Sequence, residues 1–322
     1  MDKKSNKNIS CWVITEGIAG TENQCIGIAE AMGLTPTIKR IKLRTPWKQL
    51  TPYFRVFNQY AFAQDSDPIQ TPWPDLVISS GRKSIPAALH IKQASKGKTY
   101  IAQIQDPRCN PALFDLVVVP SHDPTRGDNV ITTIGSLNRI TDEKLRNESE
   151  QFAPFFQDEK PKLALLIGGN SKAHTLTHTA TKSLCDDIKT LSEQYNIMIT
   201  ASRRTGPENQ ALLKNELSNF PAIYFWDGEG ANPYFAFLAQ ADKILVTEDS
   251  ASMISESITS GKPTYIIPLD GGGKRINKFH QEIIEKGYAK RFENGVLEDF
   301  TPKPLKETQR IAKIIAQELK TR

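Results

Sequence analysis

The residues able to do chemistry fall into a few short loops. Leu166–His174 reads L-I-G-G-N-S-K-A-H. Gly168 and Gly169 let backbone approach a ligand closely, and Asn170, Ser171 and Lys172 add polar partners. A helix beginning beyond such a turn offers free N–H groups to phosphate. A tight Gly-Gly turn with a solvated lysine is the competing explanation; the strand–glycine–helix context favours phosphate. The G-x-x-x-x-G-K-[ST] spacing of a Walker loop is absent. Ser202–Gly206 reads S-R-R-T-G, where Arg203 or Arg204 has the planar fork that suits a diphosphate. Thr247–Glu256 reads T-E-D-S-A-S-M-I-S-E. Ser250 is a natural N-cap whose neighbours leave N–H groups free for phosphate, so Ser250, Ala251 and Ser252, with Glu248 beside them, are expected among the donor-binding residues. Glu256, further along that helix, is placed to accept ribose hydroxyls, unless it is an ordinary surface residue.

A second set could supply a base. Thr15–Gln24 reads T-E-G-I-A-G-T-E-N-Q. Gly17 and Gly20 permit close backbone approach to a ligand, and Glu16 and Glu22 bring carboxylates to the end of a strand. Glu16 is the first choice as general base, and Asp106 in Q-D-P-R-C-N the second. Glu22 equally suits the first turn of a helix, where it complements the dipole. His122 and His174 lie in loops as candidate acids or bases, with local capping as the alternative. Asp186–Asp187 falls inside a helical pattern, so no D-x-D metal site is expected. Metal-independent chemistry is the expectation, with helix N-termini and cations neutralising a leaving group.

These loops need a scaffold, and the apolar pattern supplies two. Strands are predicted at Cys11–Thr15, Thr37–Leu43, Leu76–Ser79, Thr99–Ile104, Leu116–Val119 and Val130–Ile134, with helices at Asn23–Met32, Trp47–Phe62 and Ser84–Ala94 between them. A second alternation follows, with strands at Leu163–Ile167, Ile197–Ala201, Ala222–Phe225, Ile244–Thr247 and Thr264–Ile267. Such alternation predicts an α/β protein with two open parallel sheets, loops converging on a central cleft at the strands' carboxyl ends. The boundaries read from the chain are residues 1–140 for the first domain, a polar linker helix at 141–160, 161–300 for the second domain, and a C-terminal segment at 301–322. Ile311, Ile314, Ile315 and Leu319 give the last helix an apolar face, suited to packing back on the first domain.

Composition narrows the class. No apolar run reaches membrane-spanning length. A net charge of +5 without a dense basic cluster among aromatics argues against nucleic acid, yet fits an anionic ligand or a peripheral membrane contact. Four widely separated cysteines and no apolar leader before Glu16 point to reduced thiols and a cytoplasmic location, including the inner face of the cytoplasmic membrane.

Three of these loops together resemble those of GT-B glycosyltransferases that use lipid-linked acceptors. A Gly-rich loop opens the first domain, a G-G-S-x-G-like loop (here G-G-N-S-K-A-H) opens the second, and a helix ending in glutamate precedes G-x-P and an apolar strand, here Gly261, Lys262, Pro263 and T-Y-I-I-P. This chain lacks a histidine in the first loop and the last glycine of the second. W-V-I-T-E-G-I-A-G-T-E-N-Q, P-D-L-V-I-S-S-G-R-K-S, Q-D-P-R, V-V-V-P-S-H-D, L-I-G-G-N-S-K, S-R-R-T-G-P-E-N and T-E-D-S-A-S-M-I-S-E together resemble the elongated-mitochondria family, that of the plant mitochondrial fission factor and its bacterial relatives. The resemblances imply a GT-B-like pair of Rossmann-type domains. They imply transfer of a sugar from a nucleotide-sugar to a lipid-linked or envelope-glycan acceptor, with the nucleotide-sugar as substrate and no cofactor. A nucleotide-sugar 2-epimerase and a non-catalytic adaptor are the alternatives.

Overall fold

The computed structural model describes residues 9–322. The chain divides into two compact units, one running through Arg139 and including Lys306–Arg322, the other spanning Ile140–Leu305.

The first unit contains β1 (Cys11–Thr15), α1 (Ala19–Ala31), β2 (Thr37–Arg40), α2 (Trp47–Leu50), β3 (Leu76–Ser80), α3 (Ile85–Ala94), β4 (Tyr100–Ile104), β5 (Leu116–Pro120) and β6 (Val130–Thr133). All six strands are parallel, in the order β2-β1-β3-β4-β5-β6. The central strands are near-continuous apolar runs because helices cover both faces. Val13, Ile78, Ala102 and Val118 pack with Cys25 and Ile28 of α1 on one face. Ile14, Val77, Ile101 and Val117 pack with Ile85, Ala88 and Ile91 of α3 on the other. The strand order reverses between β1 and β3, which opens a crevice at their carboxyl ends.

Two expectations change here. The helix over Trp47–Phe62 is not formed: α2 stops at Leu50. Thr51 is extended (ψ 135°), as the residue before Pro52 prefers, and Phe57 is left-handed (φ 52°). The strand from Thr37 also ends at Arg40, and Leu43 instead bridges to Phe62.

The second unit contains α4 (Asp142–Gln151), β7 (Lys162–Ile167), β8 (His174–Thr175), α5 (His178–Leu191), β9 (Asn196–Ala201), α6 (Pro207–Leu217), β10 (Ile223–Phe225), α7 (Tyr234–Gln240), β11 (Lys243–Thr247), α8 (Ala251–Thr259), β12 (Thr264–Ile267), β13 (Asp270–Gly271), α9 (Lys274–Glu285) and β14 (Lys290–Arg291). Its six-stranded sheet is parallel in the order β10-β9-β7-β11-β12-β14, the 3-2-1-4-5-6 arrangement of a dinucleotide-binding fold. The reversal falls between β7 and β11. The 141–160 linker becomes a ten-residue helix, capped by the Thr141 hydroxyl and packed on α7 within this unit. Pro154 stops it, and Phe155 anchors the chain beyond by packing on Tyr224 and Phe237, each with ring centroids 4.9 Å away.

The final helix, α10 (Glu307–Lys320), belongs to the first unit. Ile311, Ala312 and Ile315 are buried in the same core as α1. The Thr308 hydroxyl accepts from Asn138 N–H and donates to Asn138 C=O, both at 3.0 Å, and Tyr100 O–H donates to Glu318. Ile315→Ala should therefore cost the protein about 2–5 kcal/mol in chemical denaturation. A loss below about 1 kcal/mol would show that α10 is not part of this core.

Candidate functional site

At the carboxyl edge of the second sheet the loops are knitted by two adjacent carboxylates. Asp249 has no exposed side chain; its Oδ1 accepts from Thr247 Oγ1 at 2.7 Å, and its Oδ2 pairs with Arg204 Nη2 at 2.8 Å. Thr247 Oγ1 accepts in turn from Gly168 N–H at 2.7 Å. A Cβ on Gly168 would stand 2.2 Å from Asp249 Oδ1, and one on Gly169 would stand 2.2 Å from the Arg204 carbonyl oxygen. Both glycines thus admit protein atoms. Asn170 N–H donates to Arg204 C=O and Ser171 N–H to His174 C=O, each at 2.9 Å. The amides of Gly168, Asn170 and Ser171 are therefore engaged within the protein. The helix after this loop starts at His178, beyond β8, whose two residues pair antiparallel with those of β13. Lys172 is exposed at the loop's tip.

Glu248 ties the opposite side. It accepts from Leu269 N–H at 2.8 Å, and Arg291 Nη1 lies 3.4 Å away. His174 Nε2 and His280 Nδ1 flank it at 3.7 and 3.6 Å. Burial pushes the His280 pKa down to about 4, so that imidazole is neutral at pH 7. No group of three or more His, Cys, Asp or Glu side chains among the described residues is placed to hold a metal ion.

Free donors are found instead at α8. The Ser250 hydroxyl caps the helix by accepting from Met253 N–H, which leaves the first-turn N–H groups of Ala251 and Ser252 without helical acceptors. Glu256 lies one turn along the same face as Ser252. It is partly buried, and Tyr234 O–H donates to its Oε2 at 2.5 Å. Burial pushes the Glu256 pKa up to about 7 and drives that of Tyr234 upward as well.

In the first unit Glu16 follows β1 and pairs with Lys83 Nζ at 2.5 Å. The pair spans the β1/β3 reversal, with Gly17 (φ 80°) and Gly81 (φ 81°) shaping the two turns. Glu22 is engaged by Arg40, whose Nε and Nη2 donate to it at 3.0 and 2.7 Å, and by Thr15 Oγ1 at 3.0 Å. The hydrogen bonds to Arg40, more than burial opposes them, hold its carboxyl below the usual range. Gly20 lies in the first turn of α1, with open space where a Cβ would stand. Asp106 closes a local turn, accepting from Arg108 N–H at 2.8 Å and Thr125 O–H at 2.7 Å. Arg203 is exposed, and Arg204 is the arginine tied to the sheet edge. Sequence reasoning missed Lys83, Asp249, Tyr234 and His280 as partners. Lys83 and Asp249 left local traces, in the strand-following S-S-G-R-K-S and T-E-D-S.

Two six-stranded parallel Rossmann-type sheets on one chain define a GT-B-like fold, and similar solved structures share it. UDP-GlcNAc 2-epimerase from Methanocaldococcus jannaschii is 13% identical, with a TM-score of 0.55 over 96% of this chain and 99% of that one. The glycotransferase of kitacinnamycin is 13% identical, with a TM-score of 0.55 over 97% of this chain and 100% of that one. The chain belongs to the Mitochondrial fission ELM1 family, whose model matches residues 19–319. Mitochondrial fission protein ELM1 of Arabidopsis thaliana is 26% identical over 389 residues, covering 96% of this chain and 91% of the relative. Uncharacterized protein RP120 of Rickettsia prowazekii (strain Madrid E) is 26% identical over 355 residues, covering 97% and 99%.

The raised Glu256 pKa makes a stability prediction. The folded protein holds this proton more tightly than the unfolded chain does. The group's stabilisation is complete below the ordinary value of 4.5 and is lost as pH rises through about 7. Glu256→Gln, a permanent mimic of the neutral acid, should raise stability at pH 8 by about 1–3 kcal/mol and leave it unchanged near pH 4. Thermal unfolding across that range reads the difference; a pH-independent effect would contradict the burial argument.

Proposed function

We propose that this chain transfers a sugar from a nucleotide-sugar donor to a lipid-linked or envelope-glycan acceptor. The observation that carries the reading is the pairing of the α8 N-terminus with the partly buried carboxylate of Glu256, beside the β7/β11 reversal, the place where open parallel sheets receive ligands. The donor's diphosphate lies against the N–H groups of Ala251 and Ser252, and its ribose hydroxyls donate to Glu256. Arg204 and Arg291 offset the charge of Asp249 and Glu248, so the phosphates do not meet two bare carboxylates. In a direct displacement, an acceptor oxygen bonds to the anomeric carbon as the bond to the diphosphate breaks. Glu16, held by Lys83, takes the acceptor's proton. Leaving-group charge falls on the helix dipole and nearby cations, so the scheme calls on no metal.

One observation favours the adaptor as a second reading. The glycine-loop amides that might have cradled phosphate are already bonded within the protein. An assay of Glu16→Gln separates the two. With a donor identified by thermal-shift screening of nucleotide-sugars, release of nucleoside diphosphate should fall about 10²- to 10⁴-fold while donor affinity is unchanged. Full turnover in Glu16→Gln removes Glu16 as the base. Absence of any stabilising nucleotide-sugar replaces the transferase with the adaptor.

A further inference from the structure

The segment that fails to form the expected helix carries a surface the nucleotide reading does not use. Five of the eight strongly exposed large apolar side chains among the described residues fall in eleven consecutive positions: Leu50, Tyr53, Val56, Phe57 and Tyr60, exposed from 50% to 77%. They are presented by a packed loop. Trp47 is buried with Leu43 and Ala61, stacks edge-on against Phe54 at 5.4 Å, and its Nε1–H donates to Val56 C=O at 3.2 Å. Phe57 sits at the turn in a left-handed conformation that a bulky side chain adopts only when its surroundings impose it.

The stretch of chain that carries this patch bears charge of one sign. No Asp or Glu occurs between Ile41 and Gln64, whereas Lys42, Arg44, Lys48 and Arg55 do. Lys42 is neutralised by Asp65 at 2.5 Å. Arg44, Lys48 and Arg55 are exposed and pair with no carboxylate of a described residue, although Arg44 Nε donates to Tyr60 C=O with its guanidinium over the Trp47 ring, and Arg55 bonds to Cys109. We propose that this loop docks the protein on an anionic phospholipid surface, Phe57, Tyr60, Tyr53, Val56 and Leu50 entering the interface and the three cations facing the headgroups. Aromatic and aliphatic tips beside Arg and Lys with no carboxylate partner match the layered polarity of a membrane interface. A second copy of the chain would set like charge against like charge, which disfavours a self-association surface. The inference stands independently of the nucleotide site, since it draws on no residue of that site.

The test is co-sedimentation of the full chain with vesicles of phosphatidylcholine alone or mixed with phosphatidylglycerol. The wild type should bind the anionic vesicles, lose that binding as salt is raised, and ignore the neutral ones. Phe57→Asn, a residue that tolerates the left-handed backbone, combined with Tyr60→Ser should abolish binding with thermal stability retained. Should that pair unfold, Tyr53→Ser, at the most exposed position, reads the same loss. Lys48→Gln with Arg55→Gln should weaken binding by roughly tenfold or more. Equal binding to neutral vesicles, no vesicle binding, or unchanged binding in these variants overturns the proposal. Concentration-dependent dimers that Phe57→Asn dissolves, without lipid binding, would assign the patch to a second copy instead. Capture of an acidic protein in the absence of lipid binding would assign it to that partner.

Discussion

The buried carboxylate of Asp249 occupies the space where Gly168 lacks a side chain, and the second unit's carboxyl edge is organised around that contact. Through Thr247 it reaches the Gly168 amide, and through Arg204 it reaches the loop after β9. Its neighbour Glu248 reaches the other way, to the loop after β12, to α9 and to β14. An unpaired carboxylate at either position would be costly to bury. Each has cationic or N–H partners, so the cost becomes a constraint. The loops after β7, β9, β11 and β12 are held as one surface, with the start of α8 in its midst.

That surface explains how a costly side chain persists at α8. Glu256 is partly buried beside Tyr234 with its pKa raised to about 7, a strain on stability that a neutral side chain would relieve. Rigid neighbours let such a group persist, since relaxation would have to move several tied loops together. The first unit follows the same plan with different parts. Glu16 and Lys83 face each other across the β1/β3 reversal, and Glu22 is committed to Arg40.

The parallel sheets were legible because strands buried on both faces show as short apolar runs, and β1 at Cys11–Thr15 and β12 at Thr264–Ile267 match their expected bounds. The short strands β8, β13 and β14 left no such run: His174–Thr175, Asp270–Gly271 and Lys290–Arg291 are polar pairs ordered by their neighbours. Trp47–Phe62 misled because its apolar residues recur at helical intervals although Pro52 and the turn at Phe57 break the backbone. Of the site, Ser250 and Glu256 were readable from a hydroxyl and a carboxylate opening and following a helix start. The use of Gly168 and Gly169 was not, because it depends on Asp249 and the Arg204 backbone, distant in sequence. The glycines were expected to admit a ligand, and the groups that approach them are the protein's own Asp249 carboxylate and Arg204 backbone.

The central claim is that the first turn of α8 holds the diphosphate by its backbone N–H groups. Ala251→Pro tests it directly. Ala251 is the first helical residue, where proline fits the helix, and Ser250 before it is extended (φ −120°, ψ 93°), as a residue preceding proline prefers. The substitution removes one donor and little else. Isothermal titration with the nucleoside diphosphates and nucleotide-sugars that bind the wild type should show affinity reduced roughly tenfold at an unchanged melting temperature. Affinity equal to that of the wild type would contradict the account.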